Sequence, residues 1–373
     1  MSYVAELMTA ASTRWAEREA LVHHGMRLTF KELHTRVTSL AQRLAAGHGT
    51  AAVLSHNQPD AVIHLACHLL GRPVAHIARD APLPVQEKFL RQCQATELHF
   101  DPREAQRAQV LTTKVPAARA VPMAMHTGVD ESAGGVCRPR PLREPAAASQ
   151  VCTLLCTGGS TGMPKGVVHT HALYASLIGP LGAPMAEEEA QRALAFGDMS
   201  HLSWYAALPA LLSGGTLVLH EGFDADAFLH MVPQEGITHL TLTPPQLSKV
   251  LDHPGVDHAD LTGLRRVTYG AAPCAPRRVR QALERFGPLL QQAYALTESG
   301  LITLLPPEDH VRDETGILSS VGRPVPGISV EIRKSGEAPL PPGETGEVWV
   351  RGPALMAGYL GRDHTVEDVL LDG

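Results

Sequence analysis

The sequence predicts an α/β protein with a mostly parallel sheet and a small β-rich module near its end. Three observations lead there. Short apolar runs alternate with amphipathic stretches from 29 to 71 and again from 151 to 300, the pattern of strands joined by crossover helices. One of those strands empties into a glycine-rich loop at 157–166. Beyond Val321, glycines and prolines separate short alternating segments at a density that fits a small barrel. The expected divisions are 1–150 and 151–320, each an α/β subdomain, and 321–373, the β module. A chain of 373 residues suits two or three domains at roughly 150 residues each.

Each element has a local cause. Thr29-Phe30-Lys31-Glu32 is a capping box that opens a helix to about Ala46, with Leu33, Val37, Leu40, Ala41 and Leu44 on one stripe. Ala51–Leu54 reads as a strand, and Asn57-Gln58-Pro59-Asp60 starts a helix ending near Gly71. His64 and His68 share a face of that helix. Zinc would need further ligands, and no acidic or cysteine neighbour is spaced to supply them, so packing or surface roles are expected. Residues 101–148 are rich in proline, alanine and arginine with weak periodicity, which predicts a linker or mobile segment.

The run Val151–Cys156 is a buried strand by its β-formers and bounding glycine. Further on, the pattern predicts helix over Thr170–Ile178, strand at Leu194–Phe196, helix over His201–Leu212 and strand at Thr216–Leu219. Asp224 caps a helix reaching Gln234. Strands at Ile237–Leu242 and Leu264–Tyr269, a helix over Pro276–Phe286 and a strand at Leu289–Gln292 follow. In the last module Ser329–Ile332 and Glu347–Val350 alternate as strands.

Composition narrows the function. The net charge is −6 with no basic block, which argues against nucleic acid. Six cysteines form no C-x-x-C, as expected of a reduced, cytoplasmic protein. The N-terminus lacks the basic start and apolar run of a signal peptide, and no apolar run is long enough to span a membrane.

The loop Thr157-Gly158-Gly159-Ser160-Thr161-Gly162-Met163-Pro164-Lys165-Gly166 holds the chemistry. Its glycines let backbone N–H groups converge on one point, Thr157, Ser160 and Thr161 add hydroxyls, and Lys165 adds a mobile positive charge, a combination suited to a polyphosphate. It is not a Walker loop, because Gly162 is followed by Met163-Pro164-Lys165. Gly158–Gly162 also fits the G-x-S-x-G elbow of serine hydrolases, with Ser160 as nucleophile, but the elbow needs a helix directly after the serine. A plain surface turn is a third reading.

The whole stretch resembles the phosphate-binding signature of the adenylate-forming superfamily, which includes acyl-CoA synthetases, peptide-synthetase adenylation domains and luciferases. Other segments follow in the family's order. Tyr294-Ala295-Leu296-Thr297-Glu298 is similar to its Y-G-x-T-E motif, with alanine in place of glycine at 295. Tyr269-Gly270-Ala271-Ala272-Pro273 is similar to its G-G-A-P segment, and Gly346–Pro353 followed by Gly358-Tyr359 to a structural segment of its barrel. The resemblance implies two stacked α/β subdomains in αβαβα layers plus the small barrel. It implies that Thr157–Gly162 and Lys165 bind ATP phosphates, that Gly270, Ala271, Ala272, Tyr294 and Ala295 line the adenine, that Thr297 meets the α-phosphate, and that Glu298 binds Mg²⁺. It assigns His201, Trp204, Tyr205, Gly270, Gly300 and Leu301 to the acid pocket, with His201 beside the reacting carboxylate. Trp204 and Tyr205 equally suit the core of a buried helix.

The implied reaction joins a hydrophobic carboxylic acid to AMP and then to the thiol of coenzyme A or of an acyl carrier protein's phosphopantetheine, in a setting of secondary metabolism. The family also carries a lysine on a C-terminal lid domain, expected to lie beyond Gly373, so adenylation by this chain alone is expected to be severely weakened. A non-catalytic acyl-nucleotide-binding module is the alternative.

Overall fold

The computed structural model describes residues 3–56, 60–123, 148–157, 165–182, 191–197, 199–312, 316–334 and 338–361. They fall into two compact units, one comprising 1–222 with 356–371 and the other essentially 223–355.

The first unit begins with α1 (Tyr3–Arg14), the antiparallel hairpin of β1 (Glu19–His23) and β2 (Met26–Thr29), and α2 (Phe30–Leu44). The expected capping box opens α2: the Thr29 backbone N–H donates to Glu32 Oε2 at 2.8 Å, and Glu32 N–H donates to Thr29 Oγ1 at 3.2 Å. Leu33, Val37, Leu40, Ala41 and Leu44 form its buried stripe. Then come β3 (Thr50–Leu54), α3 (Asp60–Leu70), β4 (Val74–His76), α4 (Leu83–Gln92), β5 (Ala95–Phe100), α5 (Ala105–Lys114) and β6 (Arg119–Pro122). After the undescribed 124–147 the unit continues through β7 (Val151–Thr157), β8 (Lys165–Thr170), α6 (His171–Gly182), β9 (Arg192–Phe196), α7 (His201–Leu212) and β10 (Thr216–His220).

Crossover helices allow the parallel pairings β7–β4–β3–β5–β6, while β8 returns antiparallel on β7. A second set in this unit pairs β9, β10 and β1 in parallel and adds β2 antiparallel. Ala52, Leu54, Phe89, Leu90, Leu98, Ala108, Leu111 and Leu154 make one continuous buried cluster, with strands on one side and α4 and α5 on the other.

The region 101–148 corrects the expectation of a linker in its first part. Asp101 caps a short turn at Pro102–Glu104, α5 buries Ala108 and Leu111, and β6 forms the outer edge of the sheet. Its prolines punctuate without breaking: Pro102 sits at the first helical position, Pro116 follows the end of α5, and Pro122 closes an edge strand.

The second unit runs α8 (Ala225–Gln234), β11 (His239–Leu242), α9 (Pro244–Leu251), β12 (Arg266–Gly270), α10 (Pro276–Phe286), β13 (Leu290–Leu296), β14 (Gly300–Leu305), α11 (Pro307–His310), β15 (Arg323–Pro324), β16 (Ser329–Arg333) and β17 (Glu347–Arg351). Asp224 Oδ1 accepts from Ala227 N–H at 2.8 Å, as a cap of α8 should. β11, β12 and β13 are parallel, and β14 and β15 add antiparallel strands. In the expected barrel region the described residues form the two-stranded β16–β17 ribbon and one bridge from Arg333 to Pro339. The last strand, β18 (Gly358–Tyr359), belongs to the first unit and pairs antiparallel with β8.

The α/β class with parallel sheets is as the sequence predicts. The compact units divide near Gly222, and the seven-stranded sheet takes strands from both sides of position 150.

Candidate active site

In the first unit the loop-bearing segment is a β-hairpin. Thr157 ends β7, Lys165 opens β8, and the two residues pair across the ladder. Gly158, Gly159, Ser160, Thr161 and Gly162 lie outside the described residues. The return as a strand at Lys165 removes the nucleophile-elbow reading of Ser160, which needs a helix there. β18 crosses beside β8: Leu360 N–H donates to Gly166 O at 2.7 Å. This places the Tyr359 ring under the Lys165 ammonium, 4.9 Å from nitrogen to ring centroid, a cation–π contact that holds the loop's only positive side chain at its base.

His201 is the first residue of α7, and its side chain lies outside what the structure describes. Trp204, 1% exposed, packs on His64 with ring centroids 4.7 Å apart. Tyr205 pairs its hydroxyl with His169 Nδ1 at 2.5 Å and stands 5.3 Å from the Tyr174 ring. Tyr174 in turn is 2.9 Å from Thr153 Oγ1. Around these rings His64 pairs with His76, and His68 lies edge-on to Tyr174. Burial governs the charge of this cluster. It lowers the His64 imidazole well below its ordinary value, brings His68 down to about 3, and pushes the Tyr174 and Tyr205 phenols up, so all four are neutral at pH 7.

In the second unit two segments leave the carboxyl ends of neighbouring parallel strands, the edge where open α/β sheets bind ligands. Gly270 ends β12, where a Cβ would lie 2.3 Å from the Ala293 carbonyl oxygen of β13, so close strand approach demands glycine. Ala271 follows with φ +67°, a left-handed conformation rare for alanine, and Ala271, Ala272 and Pro273 are exposed. Strain of that kind is held in place where it serves a site. Beside it, β13 extends through Tyr294 and Ala295 to Leu296, three residues past the ladder it shares with β12. Thr297, Glu298 and Ser299 then form a three-residue hairpin turn into β14, closed by Ser299 N–H donating to Leu296 O at 3.3 Å and by Gly300 at φ +63°.

This hairpin draws Tyr294, Ala295, Thr297, Glu298, Gly300 and Leu301 together, next to Gly270, Ala271 and Ala272. Leu301 pairs with Ala295 across it. Ser299 is a residue that sequence reasoning missed: it is 5% exposed, and its hydroxyl has no hydrogen-bond partner among the described residues. The half-buried Thr297 and Glu298 beside it in the turn also carry oxygen donors, the kind of donor Mg²⁺ takes. The only signal for Ser299 in the sequence is its place beside Glu298.

Known proteins resemble the chain over nearly all its length. The model of the family described as AMP-binding enzyme matches residues 8–360. A feruloyl-CoA synthase from Amycolatopsis is 32% identical over 369 residues, covering 95% of this chain and 71% of that protein. A medium/long-chain-fatty-acid–CoA ligase from Mycobacterium tuberculosis is 31% identical over 382 residues, covering 95% of this chain and 64% of that protein. Among solved structures, an amide bond synthetase from Marinactinospora thermotolerans superposes with a TM-score of 0.85 at 32% identity, covering 96% of this chain and 72% of that one. Among the described residues no helix is long and apolar enough to cross a membrane. The motifs, the parallel sheets and the matched family agree: this chain belongs to the AMP-binding enzyme family, the adenylate-forming ligases.

Proposed function

We propose that the chain takes part in activating a hydrophobic carboxylic acid as its acyl-adenylate, using ATP, and in passing the acyl group to a thiol. The observation that carries this reading is the Thr297–Glu298–Ser299 turn on the carboxyl edge of a parallel sheet, beside the strained turn at Ala271. The names of the relatives, one for feruloyl-CoA and one for fatty acids, support an acid with a large apolar body.

In this reading the acid's carboxylate oxygen attacks the α-phosphorus of ATP and the bond to the bridging oxygen breaks, releasing pyrophosphate. The thiolate sulfur then attacks the acyl carbonyl carbon of the anhydride, and the bond to AMP breaks with AMP leaving. The acid brings its own nucleophile, so the chain's task is positioning and charge neutralisation. Lys165 and the backbone of 158–162 hold the phosphates. The Thr297 hydroxyl donates to the α-phosphate oxygen on which charge builds. Tyr294, Ala295, Gly270, Ala271 and Ala272 border the adenine. Glu298, with Ser299 beside it, would hold Mg²⁺, which supplies positive charge against the triphosphate. His201 and the segment bearing Trp204 and Tyr205 border the acid together with Gly300 and Leu301.

Trapping the adenylate with hydroxylamine across aryl-propenoic, fatty and polycyclic acids tests the proposal. Thr297→Ala and Glu298→Gln should each lower the trapped product by about 10²–10³-fold, the usual loss on removing one preorganised transition-state contact. Trapping unchanged in both variants would remove the hairpin turn from the site. The acceptor is read by supplying the same acid with coenzyme A, a phosphopantetheinylated carrier protein or an amine. The amine is included because one structural relative is named an amide bond synthetase. A non-catalytic module would bind ATP and acid yet give no trapped product.

A further inference from the structure

The sequence offered His64 and His68 as a helix-borne pair with no third ligand in reach. The fold brings other ligand atoms to His68 alone, while His64 pairs with His76. His68 on α3, Cys152 on β7 and His171 at the start of α6 each offer one ligand atom, all within 4.8 Å of one another, and all three residues are buried; the Cys152 thiol meanwhile donates to His169 O at 3.4 Å. His171 is 4% exposed, and neither of its ring nitrogens has a hydrogen-bond partner among the described residues. Its backbone N–H donates to Gln150 O at 3.1 Å, which fixes the helix start, and the His68 ring stands edge-on to it with centroids 5.7 Å apart. A buried imidazole with both nitrogens unsatisfied costs folding free energy that a bound ion would return.

We propose that His68, Cys152 and His171 form a structural site for a zinc-class divalent cation, which staples the strand leading to the glycine loop to α3 and to the helix that follows β8. Two imidazoles and a sulfur with no hard oxygen select a borderline-soft ion over magnesium or calcium. Zn–N and Zn–S bonds of about 2.1 and 2.3 Å put tetrahedral ligand atoms about 3.5 Å apart, so binding draws these side chains in by about an ångström. The imidazoles bind as neutral ligands, Cys152 binds as thiolate and its proton leaves to solvent, and a water completes the fourth position. A second group, His23, His24 and Glu221, is a poorer candidate: His24 is exposed, and Glu221 already binds the Arg103 guanidinium through both oxygens at 2.7 and 2.8 Å.

Cobalt substitution of the purified chain separates the two groups, because only the buried one contains sulfur. The expected result is one equivalent of cobalt with a near-ultraviolet thiolate-to-cobalt charge-transfer band, displaced by zinc and accompanied by a rise in Tm. Cys152→Ser and His171→Ala should abolish the band, while Cys156→Ser and His24→Ala should retain it. A folded wild-type chain that shows no thiolate band at saturating cobalt would overturn the site, whatever the folding of the variants. So would a band that persists in a folded Cys152→Ser chain.

Discussion

The two units place their polar side chains differently. The first sinks histidines, tyrosines and an arginine–glutamate pair into its interior, where His64, His68, Tyr174 and Trp204 are all buried. The second buries fewer polar side chains among its described residues, Asp309 and His310 included, and displays other polar groups on turns at the strand ends, with Ala271 exposed and Leu296 45% exposed next to Thr297. Buried polar groups must be satisfied and hold their neighbours in one arrangement, so changes there register first as lost stability. Groups on a strand-end turn are only part-buried, so changes there should register in binding and rate while the fold stands.

The sharpest way to break that contrast lies in the first unit. Arg72 is buried, sits 2.9 Å from Glu97 and donates to the Gly49 and Leu44 carbonyls at 2.9 and 3.2 Å. Arg72→Met should destabilise the unit by about 3–5 kcal/mol, because the Gly49 and Leu44 carbonyls lose a buried charged donor and Glu97 keeps only His99 and Arg119, read by urea denaturation. A loss under about 1 kcal/mol would place the pair among surface-like ion pairs.

The same pair sets a pH dependence. The hydrogen bond with His99, then Arg119 and the Arg72 charge, hold the Glu97 carboxyl well below its ordinary value of 4.5. A depressed carboxyl contributes stability that is fully present above pH 4.5 and is lost as pH falls from there through the folded value. Melting curves from pH 7 to pH 3 should show that loss, and Glu97→Gln should flatten it. An identical acid slope in the variant would assign the slope to other groups.

In the second unit Glu298→Gln should cost about 3–4 kcal/mol of transition-state stabilisation in adenylate trapping and leave the denaturation midpoint within about 0.5 kcal/mol of wild type. A large shift in stability would erase the contrast between the units. The smallest effect returns to the loop's base: Tyr359→Leu removes the ring under Lys165 and should weaken ATP binding by about 0.5–1 kcal/mol by calorimetry, with Tyr359→Phe close to wild type. Equal affinities for Leu and Phe would show that the ring does not position the lysine.

Much of the fold was legible because its causes are local. The capping box at Thr29, the apolar stripe of α2, the Asp224 cap and the β-formers of β7 each act within a few residues. What escaped depends on distant partners. β13 outruns its predicted end because Tyr294–Leu296 pair with β14, which no local pattern announces. β6 is short and exposed, and only its pairing with β5 makes it a strand. The site divides likewise. Thr297 and Glu298 could be read from a motif, whereas the burial of Ser299, the Tyr359 contact and the closeness of His171 to His68 and Cys152 appear only once the chain has folded.

Following a heavy-oxygen label placed in the acid's carboxylate tests the central claim most directly. If this chain supports attack of that carboxylate on the α-phosphorus, the AMP released on acyl transfer carries one label. Unlabelled AMP, or ADP as the nucleotide product, would contradict it.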